Sequence, residues 1–168
     1  MAWFATENRL GLQPIAVNST SQKHAEGTII TGQDDTTYGG GEFIYLKGVA
    51  NTVVGSLVIY DTVNHTTTLA VNTAVQNRPV AVAMSASVAS QWGWYQIAGV
   101  AVIKKTAVAF AAGPLKVYLS GTAGRIKGIA SAGLQIGTAT TVNAATVASA
   151  TSTINVLINR PFLQPQIT

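Results

Sequence analysis

The chain has 168 residues, of which 48 % are hydrophobic, and its ten Lys and Arg against six Asp and Glu give a formal net charge of +4. This hydrophobic content excludes intrinsic disorder as the general state, and a domain of this length can bury a core. Cysteine is absent, which excludes a disulfide framework and a thiolate metal site.

Acidic and basic residues are unevenly distributed along the chain. All six carboxylates precede residue 62, and residues 62–168 contain seven Lys and Arg but no Asp or Glu. Most enzyme chemistry uses a carboxylate to move protons or to hold a metal, so we expect no catalytic activity and no cofactor. Only 10 % of the residues are charged, against about 25 % in an average domain. We therefore expect another protein to cover part of the surface.

The positive charge does not indicate a nucleic-acid partner. The basic residues are scattered singly, apart from the pair Lys104-Lys105, whereas nucleic-acid interfaces show dense basic clusters or stripes. The net positive charge is explained equally well by an acidic protein partner.

Short runs of β-branched and aromatic residues between turn residues predict strands along most of the chain. In chain order, the predicted strands are 27–31, 42–47, 57–61, 67–71, 80–84, 92–98, 100–104, 115–119, 125–129, 134–138 and 153–158. Strands at this spacing are typical of a β-sandwich or a small barrel. No segment has a sustained helical period. The expected fold is all-β, a single β-sandwich or jelly-roll-like domain with extended N- and C-terminal arms.

The two arms are expected at residues 1–25 and 160–168, on either side of a sandwich domain at 26–159. The first arm is irregular and polar after Trp3-Phe4, and the second contains two prolines, which resist strand pairing. Exposed aromatic side chains are unfavourable, so each arm should dock on the domain or on a partner. The chain shows no signal peptide and no apolar stretch long enough to span a membrane, so no membrane partner is expected.

The motifs that might carry chemistry have plainer interpretations. The glycines at 39–41 precede a predicted strand rather than a helix, so they are expected to form a loop and not a phosphate site. Asp34-Asp35 has the oxygens that calcium prefers, but its spacing matches no calcium loop, and a solvated turn is expected. The two histidines, His24 and His65, are too few for a zinc site.

A second constellation combines Asp61, His65 and Thr66 around a predicted turn. These residue types occur in nucleophilic triads, yet no nucleophile elbow is present. We expect no triad here.

The densest aromatic run is Trp92, Trp94 and Tyr95, in which the two tryptophans share one face of a strand. Such a run forms either a platform for stacking sugars or, the favoured interpretation, a sandwich core or subunit interface.

Several segments resemble the capsid decoration (cement) proteins of tailed bacteriophages, and together the resemblance covers about residues 25–160. They are GTII at 27–30, YGGGEFIYLKGVA at 38–50, VGSLVIYD at 54–61, PVAVAM at 79–84 and QWGWYQIAG at 91–99. The resemblance implies a compact β-sandwich or jelly-roll that forms homotrimers, less often dimers. It also implies a position on the outer surface of the virion, where the protein bridges neighbouring major capsid protein subunits after synthesis in the host cytoplasm.

That family has no active site, so the resemblance suggests contacts rather than catalytic residues. The expected contacts with the capsid are the aromatic and apolar residues of the two arms, Trp3, Phe4, Phe162 and Leu163. Residues Trp92, Trp94 and Tyr95 are the expected oligomer interface or core. The alternative function is a carbohydrate-binding β-sandwich that recognises a host glycan, and an enzyme would require the early carboxylates to converge in one cleft.

Overall fold

The computed structural model describes residues 3–7, 11–35, 37–74, 76–87 and 89–165. Within these ranges the chain forms eleven β-strands and no helix, which confirms the predicted all-β class. The strands are β1 (Trp3–Ala5), β2 (Ile29–Asp34), β3 (Gly40–Lys47), β4 (Leu57–Tyr60), β5 (Thr67–Leu69), β6 (Val80–Ala83), β7 (Trp92–Lys104), β8 (Lys116–Leu119), β9 (Ile126–Lys127), β10 (Gln135–Thr141) and β11 (Thr153–Leu163).

The strands form one antiparallel sheet with a branch at β7. The main path runs β1-β2-β3-β7-β11-β10-β8-β9, and β6, β4 and β5 extend from β7 as the branch. Between Trp92 and Ala98, β7 pairs with β3, and between Ala98 and Lys104 it pairs with β11. The two strands predicted at 92–98 and 100–104 are therefore one continuous strand, which gives the fold its sandwich-like layers.

Gly99 lies where β7 changes from one partner to the other. Its φ is 97°, a left-handed conformation that favours glycine, and the register with β3 shifts beside it. A Cβ at this position would lie 2.5 Å from the carbonyl oxygen of Gly40. The close approach of two backbones at this point therefore requires glycine.

Both chain ends differ from the irregular arms expected from the sequence. β1 pairs with β2, with Trp3 opposite Asp34, and β11 continues through Leu163, so the expected boundary at residue 160 falls inside a strand. Pro161 is accommodated because the register of β10 and β11 shifts between Gly137 and Ala139, where no regular ladder is formed.

The core consists of three apolar clusters, and β3 is buried on both faces. Ile44 and Leu46 pack with residues of β4, β6 and β7, whereas Phe43 and Tyr45 pack under the segment 11–26 with Trp94. Alternate residues of β3 thus lie on opposite faces of the strand and belong to different clusters. A third and larger cluster joins β4 and β6 to β7, β8, β10 and β11.

Lys105, directly after β7, is completely buried. Its Nζ donates hydrogen bonds to the carbonyl oxygens of Thr106 (3.2 Å), Val108 (2.9 Å) and Ser149 (3.4 Å), and lies 5.9 Å from the ring centre of Phe110. Burial lowers the pKa of Lys105 below its ordinary value. The ammonium thus links the segment that contains Thr106 and Val108 to Ser149. This burial is unfavourable for the ammonium because it loses its contacts with water.

This burial predicts how stability depends on pH. Because the pKa of Lys105 is lower in the folded protein than in the unfolded chain, the unfolded chain holds the extra proton between those two values. In that window, the stability of the wild type should rise with pH relative to the variant Lys105→Met. Urea unfolding of both proteins from pH 7 to pH 10 measures the difference, to which tyrosine titration contributes equally in both. Parallel profiles would contradict a lowered pKa of Lys105 in the folded protein.

Candidate binding surfaces

The aromatic pair at the N-terminal end is divided between the core and the surface. Trp3 is buried, with its ring centre 5.2 Å from that of Phe43 in an edge-to-face arrangement. Phe4 points to the opposite side of β1 and is 59 % exposed. β1 therefore exposes Phe4 to solvent, while the buried Trp3 fixes the strand to the domain.

The second expected contact pair shows the same alternation. Leu163 is buried in the large core cluster, whereas Phe162 is 38 % exposed. The ring of Phe162 lies over Gly137 of β10, where a Cβ would come within 2.8 Å of it. Of the four residues expected to contact a capsid, only Phe4 and Phe162 are available at the surface.

The aromatic run of β7 lies mainly in the core. Trp94 and Tyr95 are buried on opposite sides of the strand, in two different apolar clusters. Trp92 is half-buried: its Nε1 donates to Glu26 Oε1 at 2.6 Å, and the Nζ of Lys47 lies 5.6 Å from the centre of its ring. The two tryptophans therefore do not form an open platform on which sugars could stack.

The segment 11–26 is attached to the sheet by Gln13, a residue to which the sequence pattern draws no attention. Its side-chain Oε1 accepts a hydrogen bond from the Tyr45 hydroxyl at 2.9 Å, and its carbonyl oxygen accepts one from Trp94 Nε1 at 2.9 Å. Its backbone N–H donates to His24 Nε2 at 3.1 Å, and the His24 ring packs against those of Tyr45 and Trp94. His24 thus has a structural role in this network.

The carboxylates singled out by the sequence hold turns. Oδ2 of Asp34 accepts the backbone N–H groups of Thr37 and Tyr38, each at 3.0 Å. Burial acts to raise the pKa of Asp34, but these bonds and those to Asp35 outweigh it and hold the pKa below its ordinary value.

Asp61 has a similar role in the next turn. Its Oδ1 accepts the N–H groups of Asn64 (2.8 Å) and Val63 (2.7 Å), which lower its pKa, and Arg78 lies 3.9 Å away. His65 donates its backbone N–H to the Asp61 carbonyl oxygen. The geometry is that of a turn carboxylate whose acceptor sites face the backbone.

Among the described residues, no three His, Cys, Asp or Glu side chains lie close enough together to hold a metal ion. In the same part of the chain, no helix has the length and apolar character needed to cross a membrane. Of the glycines at 39–41, which were expected to form a loop, Gly40 and Gly41 lie within β3 and pair with β2, and Gly39 precedes the strand.

A further exposed surface was not predicted from the sequence. On β11, Leu157 is 47 % exposed and lies directly between Thr140 of β10 and Val100 of β7. We call these three residues the Leu157 row; they form an uncharged strip across three strands. Such a flat, uncharged strip is suited to contact with another protein.

No protein-family model matches the chain, and neither a curated protein nor a solved structure matches it.

Proposed function

We propose that this protein is a structural virion protein that binds the outside of a phage head and clamps neighbouring major capsid protein subunits. The structural observation that best supports this proposal is the placement of Phe4, which is exposed on a strand that the buried Trp3 fixes in position. A rigid, exposed aromatic side chain is a typical anchor at a protein–protein interface, because little conformational freedom is lost on binding. The resemblance to decoration proteins gives the class of partner.

The mechanism requires only modest contacts repeated many times. Burial of one Phe side chain contributes about 1.5–3 kcal/mol, and the exposed Phe162 and the Leu157 row offer further uncharged contact area. In a homotrimer, attachment of one subunit raises the effective concentration of the next, so that weak contacts add to a stable clamp. The shell would then resist the pressure of the packaged DNA without catalysis or a cofactor. The jelly-roll form of the sandwich and the trimer belong to this proposal.

The substitution Phe4→Ala tests the proposal. We expect the variant to unfold with nearly the wild-type free energy, because Phe4 contributes little to the core. Its affinity for purified heads lacking the protein should fall about 10-fold or more, equivalent to the lost burial of one aromatic side chain. Occupancy of the heads, measured by sedimentation and quantitative gel densitometry, gives the affinity.

The matched control is Val63→Ala, which truncates a side chain that is 81 % exposed on a turn. This control should decorate heads like the wild type. If Phe4→Ala also reaches wild-type occupancy at every concentration, Phe4 is not a capsid anchor and the proposal loses its main support. Trp3 is left unchanged in this experiment because it belongs to the core.

A further inference from the structure

A basic cavity lies between the end of β7 and the turn at residues 120–125. Its volume is about 430 Å³, and the residues that line it include Lys104 and Arg125 together with Thr122, Ser56 and Asn51. All six carboxylates of the sequence lie within the described residues, yet none of them lines this cavity. Two cationic side chains therefore share a concave space without an acidic residue.

The fold brings together two cations that are 21 positions apart in the sequence. Lys104 is the last residue of β7, and its backbone N–H donates to the Gly55 carbonyl oxygen at 2.8 Å, beside the start of β4. The turn that carries Arg125 is fixed to the same place by Gly124. The carbonyl oxygen of Gly124 accepts the Leu57 N–H at 2.9 Å, and its own N–H donates to the Ala70 carbonyl oxygen at 2.7 Å. Gly124 is thus bonded to the first residue of β4 and to the residue after β5, and Lys104 is bonded to a residue just before β4.

Arg125 is oriented within the cavity. Its Nη1 donates to the Lys105 carbonyl oxygen at 3.2 Å, which holds one nitrogen of the guanidinium in place. A guanidinium has five N–H donors in a planar fork that matches the two oxygens of a carboxylate or phosphate. Most of these donors are not needed for the bond to Lys105. The bond to Lys105 therefore leaves other N–H donors of the guanidinium for a ligand.

The positive charge of the cavity comes from Lys104 and Arg125, because the neighbouring Lys105 does not line it and donates its ammonium to the carbonyl oxygens of Thr106, Val108 and Ser149. Charges in a partly enclosed site are less screened than charges on an open surface. An anion in the cavity would be attracted by the two cationic residues that line it, Lys104 and Arg125.

We propose that the basic cavity binds an oxyanion, with Arg125 as the bidentate donor and Lys104 as a second point of positive charge. The group that the cavity accepts is a carboxylate or a phosphate. Each of these anions has a pair of oxygens that can accept two N–H donors of one guanidinium. A carboxylate would come from an acidic side chain or the C-terminus of another protein, and a phosphate from a phosphorylated ligand. This inference does not rest on the proposed capsid function.

The test titrates the isolated ¹⁵N-labelled protein with inorganic phosphate and, separately, with acetate, at constant ionic strength maintained with sodium chloride. We expect saturable shifts of the backbone amide signals of Thr122, Gly124, Arg125 and Lys104 with at least one of the two anions. Saturation with acetate alone indicates a protein carboxylate, and tighter binding of phosphate indicates a phosphorylated ligand. Either result supports the oxyanion site.

Two variants make the result specific to the cavity. Lys104→Gln should weaken binding about 10-fold, as expected for loss of one charge-assisted contact of about 1.4 kcal/mol, and it leaves the bond between Arg125 and Lys105 in place. Lys116→Gln removes an exposed lysine of β8 that does not line the cavity, and should bind like the wild type. Shifts that remain linear with both anions, or equal affinities for Lys104→Gln and the wild type, would overturn the inference.

Discussion

Replacing Trp94 with alanine is expected to lower the free energy of unfolding by about 3–5 kcal/mol, the usual cost of truncating a fully buried aromatic side chain. Trp94 has no exposed surface, and its ring centre lies 5.0 Å from that of Tyr45 and 5.4 Å from that of His24. The substitution also removes the Nε1 donor from the Gln13 carbonyl oxygen. Attachment of the segment 11–26 should weaken together with the core.

Urea denaturation followed by circular dichroism measures this loss. The variant Trp94→Phe is the comparison, because it keeps an aromatic ring but lacks the donor to Gln13; it should lose less stability than the alanine variant. A loss below about 1 kcal/mol for Trp94→Ala, which is typical of a surface substitution, would show that the cluster of Trp94, Tyr45 and Gln13 is not a core.

The second large loss of stability is expected for a substitution of Gly99, where the pairing partner of β7 changes from β3 to β11. In Gly99→Ala, a Cβ would stand 2.5 Å from the Gly40 carbonyl oxygen and 3.1 Å from Gly41 Cα, on a backbone with φ of 97°. We expect the left-handed strain and the displacement of β3 together to cost at least about 2 kcal/mol. Thermal and urea unfolding of the purified variant give this value.

The chain provides a matched control in Gly113. Its φ is 102°, close to that of Gly99, but nothing lies within 4 Å of its hypothetical Cβ. Gly113→Ala therefore carries the backbone strain without the contact, and should cost about 1 kcal/mol. Equal losses for the two variants would mean that the close approach of β7 and β3 contributes nothing.

The sequence predicts much of the fold because alternation is clear where strands are buried. The strand predicted at 42–47 is present as β3, and each of its faces contacts a different apolar cluster. The strand at Trp3–Ala5 was not predicted, because three residues are too few to show an alternation of apolar and polar side chains. The extension of β11 past Arg160 was missed because Pro161 normally ends a strand, and the irregularity that accommodates it involves the distant Gly137.

The candidate binding surfaces were less predictable, because they depend on which residues meet in space. The pairing of Leu157 with Thr140 and Val100 follows from strand order, which a single sequence does not specify. Likewise, Lys104 and Arg125 lie in one cavity only because the turn at 120–125 is bonded to β4 and to the residue after β5. Alternation correctly separates exposed from buried residues only after a strand has been recognised, as Phe4 and Trp3 illustrate.

The position of β11 has a consequence for the order of events during protein synthesis. In the main path of the sheet, β11 pairs with β7, and β10, β8 and β9 follow β11. The ribosome completes residues 116–141 before residues 153–163, so three strands with apolar side chains emerge before their neighbour in the sheet. Three of the eleven described strands therefore have to wait for a later segment, a long-range dependence that slows folding and exposes nascent chains to aggregation. Translation rate and chaperone supply, more than the stability of the finished domain, are then expected to determine the yield of folded protein in the cell.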